Sequence, residues 1–145
     1  MLGVTFQVTF DCLDPERLSE FWAEVLNYEF QEPPSGYRTW QDFLRARGVP
    51  QEEWNSASAI VDPDRPGSRI YFQRVSTPKA SKNRVHLDVN VGGGSKVPIA
   101  ERKKKIYNEV ERLTKLGATK IDTFEEADEF WVVMADPEGN EFCLQ

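Results

Sequence analysis

The segment NRVHLDVNV, residues 83–91, contains the only histidine of the chain, His86, and an aspartate two residues later, Asp88. An imidazole close to a carboxylate can act as a general acid or base, and it can also ligate a metal ion. A lone histidine in a strand can equally be a structural residue whose polar atoms are satisfied by water or by neighbouring side chains. The residue types leave all three interpretations open.

Further polar side chains follow the same alternation, in which residues two apart share one face of a strand. The pairs are Gln7 with Thr9, Tyr71 with Gln73, His86 with Asp88, and Glu141 with Cys143. Apolar residues alternate with each pair and are suited to packing against helices. We therefore expect the polar pairs to lie on the faces opposite the apolar stripes.

Cys143 offers a second kind of chemistry, because a thiolate beside His86 could act as a nucleophile. Its neighbours in the segment EFCLQ are apolar, and a cysteine in such a strand is usually an inert, small hydrophobic residue. The two cysteines, Cys12 and Cys143, form no CxxC pair and are too few for a disulfide scaffold. Reduced thiols are therefore expected, as in the cytoplasm.

The elements that carry these residues can be predicted from periodicity. Alternating apolar residues over 4–10 and 85–91 predict two strands. Residues 14–27 predict a helix with Asp14 as its N-cap, Pro15 at its first position and Asn27 at its end. A second helix is predicted from about Pro98 to Gly117, and its apolar stripe consists of Ile106, Val110, Leu113 and Leu116.

Two segments of the chain match each other, VDPDRPGSRIYFQ at 61–73 and ADPEGNEFCLQ at 135–145. Each contains an Asp-Pro turn with a glycine, followed by an alternating strand. When the glycines are aligned, Ile70 corresponds to Phe142 and Tyr71 to Cys143. The order of strand, helix and further strands thus occurs twice, which indicates an internal repeat.

The repeat predicts an α+β fold in which two βαβββ modules form an open, curled mixed sheet within a single domain, residues 1–145. Module one covers about 1–75 and module two about 84–145. Module one is longer because of an insertion at about 35–56, which contains Trp40 and Trp54. The insertion could pack on the sheet edge, or it could act as a lid over a ligand pocket.

Composition restricts the partners of the chain. A net charge of −6 and a pI near 4.9 argue against nucleic acid and anionic membranes, because both would repel the protein. No apolar run approaches the roughly 20 residues of a membrane helix, and the first residues lack the features of a signal peptide. We therefore expect a cytoplasmic protein whose partner is a small molecule.

Four segments together carry a resemblance to a known superfamily: DCLDPERLSEFWAEVLNYEF, NRVHLDVNV, VERLTKLGATKI and WVVMADPEGNEFCLQ. The chain resembles the vicinal oxygen chelate superfamily, which includes glyoxalase I, bleomycin-resistance proteins and extradiol dioxygenases, and most of all its glyoxalase-like branch. This resemblance implies paired βαβββ modules whose sheets curl around a central cavity. It also implies a homodimer, and open sheet edges gain from being covered.

Metal-using members of the superfamily hold the ion with four side chains, and the corresponding positions here are Gln7, Tyr71, His86 and Cys143. His86 matches the family pattern, and the amide oxygen of Gln7 can serve as a ligand. Tyr71 and Cys143 replace the two carboxylates. We therefore expect no bound cofactor, with a divalent metal such as zinc, nickel or iron as the alternative. Without a carboxylate at position 143, the base implied by the resemblance, we do not expect ordinary glyoxalase I activity.

The expected function is metal-independent binding of a small organic molecule in a cavity between the modules, of the resistance or sequestration type. Its predicted ligand contacts are Gln7, Thr9, Trp40, Trp54, Tyr71, Gln73, Trp131 and Cys143. The acidic residues Asp88 and Glu141 would favour a cationic ligand. The alternative is a lyase or isomerase in which His86 is the acid or base and Asp88 or Glu141 fixes its tautomer.

Overall fold

The computed structural model describes residues 3–64 and 66–145; the first two residues and Arg65, within the predicted Asp-Pro turn, lie outside the described part. The chain divides into two compact units, the first ending at Pro78 and the second beginning at Lys79. Each unit has a four-stranded mixed sheet with the element order strand, helix and three strands. The predicted α+β fold of two βαβββ modules is confirmed.

The first unit has the sheet order β1-β4-β3-β2, in which β1 and β4 are parallel and the other neighbours antiparallel. Its strands are β1 (Val8–Cys12), β2 (Glu29–Phe30), β3 (Ala57–Val61) and β4 (Ile70–Arg74). Its helices are α1 (Pro15–Leu26) and α2 (Trp40–Ala46), and a short 3-10 turn covers Gln51–Glu53.

The second unit has the sheet order β5-β8-β7-β6, with the same mixture of one parallel and two antiparallel pairs. Its strands are β5 (Leu87–Val89), β6 (Thr119–Glu126), β7 (Glu129–Ala135) and β8 (Glu141–Leu144). Its helix is α3 (Ile99–Lys115). Among the described residues, no helix is both long and apolar enough to cross a membrane.

In the first unit, helix α1 packs on the sheet as its sequence predicts. Leu18 and Trp22 on α1 are buried, and Phe72 of β4 is buried opposite them. The side chain of Asp14 accepts a hydrogen bond from Arg17 N at 3.2 Å, and Asn27 ends the helix with a φ of 56°. The predicted N-cap and left-handed C-cap are therefore confirmed, and they fix the direction in which α1 crosses the sheet.

In the second unit, the apolar stripe of α3 is shorter than predicted. Ile106 and Leu113 are fully buried, and α3 packs mainly on β7. Leu116, however, is 42% exposed, because α3 ends at Lys115 and Leu116 is its C-cap. The left-handed Gly117, with a φ of 108°, then turns the chain away from the helix.

The prediction of a strand over residues 4–10 is wrong at its start. Strand β1 begins at Val8, while Val4 and Phe6 are 94% and 74% exposed. The register explains this, since Val8 pairs with Ile70, the first residue of β4. In the described part of the chain, β4 is the one strand beside β1, so the alternation before Val8 has no described strand to pair with.

The strand around His86 is also shorter than predicted. β5 covers Leu87–Val89, which pair with Phe142, Cys143 and Leu144 of β8. His86 therefore lies immediately before the strand rather than in its middle. Its backbone is not part of the β5–β8 pairing, and its imidazole can reach a side chain on the same face of the sheet.

The two units repeat the register of their parallel strands, as the repeat in the sequence predicts. Thr9 pairs with Tyr71 in the first unit, and Asp88 pairs with Cys143 in the second. Tyr71 and Cys143 therefore occupy equivalent positions in the two sheets, opposite the buried residues on either side of each. Gln7 lies two residues before Thr9, and His86 lies two residues before Asp88, so these two positions are equivalent as well.

The insertion is tied to the start of α1 by one side chain. Asn55 donates from Nδ2 to Asp14 Oδ1 at 2.8 Å and accepts from the backbone N–H of Glu16 at 2.9 Å. Both contacts occur in the first turn of the helix, where backbone donors have no partner within the helix. Asn55 thus joins the insertion to the helix that supports the sheet.

We predict that Asn55→Ala lowers the free energy of unfolding by about 1–2 kcal/mol, because a helix-end donor and a partner of Asp14 lose their contacts. Urea unfolding followed by circular dichroism measures this change. The control is Asn108→Ala, at an exposed position of α3, which should stay within about 0.5 kcal/mol of wild type. Equal losses in the two variants would show that Asn55 does not join these elements.

Candidate functional site

A cavity of about 530 Å³ lies at the edge of the first sheet. Strand β2 pairs with Ile60 and Val61, so among the described residues no strand lies on the outer side of the first half of β3. The insertion covers this open edge. The residues that line this first-unit cavity are Glu16, Glu20, Phe30, Gln31, Trp40, Gln41, Gln51, Trp54, Asn55, Ala57, Ser58, Ala59, Arg69 and Tyr71.

Two tryptophans of the insertion form aromatic walls of the first-unit cavity. Trp40 donates from Nε1 to the carbonyl of Gln31 at 2.8 Å, and Trp54 donates to the carbonyl of Val49 at 3.0 Å. Both indole N–H groups are therefore satisfied by the backbone. The rings are held in place, and what they offer a ligand is apolar surface and π-faces.

Arg69 places a positive charge in the same cavity. Its Nε donates to Gln31 Oε1 at 2.7 Å and its Nη1 donates to Gln7 Oε1 at 2.9 Å. The guanidinium carbon lies 5.3 Å from the ring centroid of Tyr71. Stacking and two hydrogen bonds thus fix the group, and both hydrogen-bond partners are neutral amides.

The other predicted ligand contacts of the first unit lie beside the cavity. Gln7 donates to Thr9 Oγ1 at 3.5 Å and accepts from Arg69, so it supports the guanidinium rather than lining the cavity. Gln73 lies on the same face of β4 as Tyr71, but it is exposed and is not part of the wall. Of the contacts predicted in this unit, Trp40, Trp54 and Tyr71 line the cavity.

In the second unit, His86, Asp88 and Cys143 form a cluster. The imidazole Nε2 lies 3.2 Å from Asp88 Oδ1, and one ligand atom from each of the three residues falls within 4.8 Å of the others. The histidine and aspartate side chains are about half exposed, whereas Cys143 is 7% exposed. We call these three residues the His86 cluster.

Burial, followed by the nearby negative charge of Asp88, raises the pKa of the Cys143 thiol to about 11. The thiol is therefore protonated at neutral pH, and only the thiolate is a strong nucleophile or metal ligand. This electrostatic environment opposes a nucleophilic role for Cys143.

Glu141 and Trp131 share a sheet face with the His86 cluster but have partners of their own. Lys82 donates to Glu141 Oε2 at 2.7 Å, and this hydrogen bond holds the pKa of the carboxyl below its ordinary value. Trp131 stacks on Phe124 with 5.4 Å between ring centroids. Asp88, and not Glu141, is thus the carboxylate in contact with the imidazole.

The metal positions implied by the resemblance divide between the units and differ in how they fit an ion. In the first unit, Gln7 and Tyr71 both contact the guanidinium of Arg69. A divalent cation held there would lie next to a permanent positive charge, so these two positions do not fit a metal. The His86 cluster offers nitrogen, oxygen and sulfur donors of the types that bind zinc, although its thiol would first have to lose a proton.

The sequence pattern missed several residues of the first-unit cavity. Arg69 lies two residues before Tyr71. Extending the alternation of β4 by two residues would therefore have placed Arg69 on the same face as Tyr71. Glu16 and Glu20 are four residues apart on the exposed side of α1, which is also typical of a solvated helix surface. Only the position of the insertion distinguishes these two carboxylates from other surface charges.

Solved structures share the fold across nearly the whole chain. A hypothetical protein, SA1046, from S. aureus aligns with a TM-score of 0.62 at 9% identity, covering 99% of this chain and 94% of the other. The fosfomycin resistance protein FosX from Listeria monocytogenes aligns with a TM-score of 0.64 at 12% identity, covering 100% and 91%. A glyoxalase/bleomycin resistance protein/dioxygenase family enzyme from Burkholderia phytofirmans PsJN gives 0.58 at 16% identity, covering 95% and 94%.

At these identities the structural likeness concerns the fold alone. No curated protein matches the chain by sequence. The model of the family described as the glyoxalase-like domain matches residues 7–145, which is nearly the whole chain. Together with the twofold βαβββ order, this match shows that the chain belongs to the glyoxalase-like domain family, within the vicinal oxygen chelate superfamily.

Proposed function

We propose that this protein binds a small organic molecule in the first-unit cavity, through its own side chains and without a metal ion at Gln7 and Tyr71. The observation that carries the proposal is the cavity itself, with two fixed indoles and a fixed guanidinium in its walls. A volume of about 530 Å³ falls within the range of pockets that hold drug-sized ligands.

In this role the protein acts in resistance or sequestration, and it holds its ligand without changing it. Structural relatives that carry the name fosfomycin resistance protein are consistent with a role in resistance. They do not argue for binding without a metal, because FosX from Listeria monocytogenes has been solved in complex with Mn(II). Protein-supplied binding also agrees with the charge at Arg69, which disfavours a cation at the two family positions of the first unit.

A second candidate function is a lyase or isomerase that uses His86 as its acid or base. The observation in its favour is the 3.2 Å contact between Nε2 and Asp88 Oδ1 in a half-exposed pair. A carboxylate in that position orients the imidazole and fixes its tautomer. This function requires conversion of a bound molecule that depends on His86.

Filling the first-unit cavity should abolish ligand binding. Ala57 and Ala59 line the cavity from β3, and Ala57→Phe or Ala59→Phe would occupy its space. We expect fragments that bind wild type in ligand-observed NMR to bind these variants at least about tenfold more weakly. Ala80→Phe, in an exposed segment of the second unit, is the control and should bind like wild type. Unchanged binding to both filled variants would place the ligand site elsewhere and reject the proposal.

Alkylation rates test the electrostatics of the His86 cluster. Cys143 should react slowly with iodoacetamide at neutral pH and faster as the pH approaches its pKa of about 11. Asp88→Asn removes a charge that raises this pKa, so the thiolate fraction at about pH 9 should increase several-fold. Mass spectrometry of the Cys143 peptide measures the rate, and Asp128→Asn is the charge-matched control. A rate that Asp88→Asn leaves unchanged would contradict this coupling.

A further inference from the structure

We propose that the first-unit cavity selects a zwitterionic small molecule, with an ammonium group at one end, a carboxylate or other anionic group at the opposite end, and apolar atoms between them. This inference rests on the proposed function, and it adds the charge and polarity of the ligand to it. It depends on three features of the cavity: the guanidinium of Arg69, the carboxylates of Glu16 and Glu20, and the aromatic walls.

Arg69 supplies the position for the anionic group. A guanidinium has five N–H donors, of which Arg69 uses one on Gln31 and one on Gln7, leaving three for a ligand. Amide oxygens orient the group but do not neutralise it, and no described residue forms an ion pair with Arg69. Its flat, immobilised fork is suited to receive a carboxylate by two parallel hydrogen bonds.

Glu16 and Glu20 supply the position for the ammonium group. They are four residues apart on α1, so both side chains lie on one side of the helix, and both line the cavity. Within residues 3–64 and 66–145, neither carboxylate has an ion-pair partner. Two unpaired carboxylates favour a cation between or beside them.

The two charged regions approach the cavity from opposite sides of β3. Ser58 contacts Ser19 of α1 at 2.8 Å between hydroxyl oxygens, so α1 and its carboxylates lie on the Ser58 side of the strand. Successive side chains on a strand alternate, and Ala59 pairs with Tyr71 on the other side. Arg69 stacks on Tyr71 and therefore belongs to that second side.

The rest of the cavity combines aromatic and small apolar side chains with neutral amides. Trp40 and Trp54 line it with rings whose N–H groups are already bonded to backbone carbonyls, so they offer little polar recognition. A ligand with only one charge would leave either Arg69 or the carboxylates facing an apolar group. A zwitterion with a hydrophobic middle matches all three regions at once.

The test compares three matched probes on the full-length protein: 4-(aminomethyl)benzoate, which is zwitterionic, benzoate, and benzylammonium. Dissociation constants come from tryptophan fluorescence or calorimetry. We expect the zwitterion to bind about tenfold more tightly than either singly charged probe, because each end gains a charge-assisted hydrogen bond.

The variants separate the two ends. Arg69→Gln should remove the advantage over benzylammonium, whereas Glu16→Gln with Glu20→Gln should remove the advantage over benzoate. Lys104→Gln and the pair Glu111→Gln with Glu126→Gln make the same charge changes at exposed positions of the second unit, and they should leave the preference intact. Arg69→Lys keeps the charge and serves as a second variant if Arg69→Gln lowers the unfolding temperature.

A zwitterion that binds no better than the stronger single ion, or that shows no measurable binding, would overturn this inference. So would a preference that survives in both sets of cavity variants. If fragments still require the open cavity in the alanine-to-phenylalanine test, the proposed function would stand while the charge selectivity fails. If fragments bind equally well to the filled variants, the proposed function and this inference both fail.

Discussion

The guanidinium of Arg69 determines what the polar side of the first sheet can do. It is held by the amide oxygens of Gln7 and Gln31 and lies against the ring of Tyr71. Gln7 and Tyr71, at two of the metal-ligand positions implied by the resemblance, therefore contact a permanently charged protein group. Since that cation keeps its charge at physiological pH, it favours the anionic group of a ligand over a metal ion at these positions.

The two units show how one backbone pattern can carry different chemistry. Thr9 with Tyr71 and Asp88 with Cys143 have the same register in equivalent parallel strands. In the first unit the surrounding side chains make an aromatic cavity with a fixed cation. In the second they make the His86 cluster, whose thiol is kept protonated by burial and by a neighbouring carboxylate. The fold is common to both, whereas the site chemistry depends on a few side chains.

Sequence patterns predicted the fold more completely than the site. The twofold order followed from alternation and from the repeated Asp-Pro segments, because each depends on local burial and turn chemistry. The ends of β1 and β5 were wrong because strand length depends on the partner strand, as Val8 opposite Ile70 illustrates. The insertion as a possible lid, and Trp40, Trp54 and Tyr71 as ligand contacts, were predicted from the sequence. The place of the cavity was not, since it arises where the insertion covers an edge that β2 leaves open. The alternation that includes Tyr71 could have identified Arg69 as a cavity residue, but no sequence pattern would have identified Glu16 and Glu20.

Tryptophan and arginine side-chain NMR signals during a titration with 4-(aminomethyl)benzoate test most directly whether ligands occupy the first-unit cavity. We expect the Nε1–H signals of Trp40 and Trp54 and the Nε–H signal of Arg69 to shift together with one dissociation constant. The signal of Trp131, which stacks on Phe124 in the second unit, should stay in place. A saturable shift of Trp131 with no change at Trp40, Trp54 and Arg69 would contradict binding in the first-unit cavity.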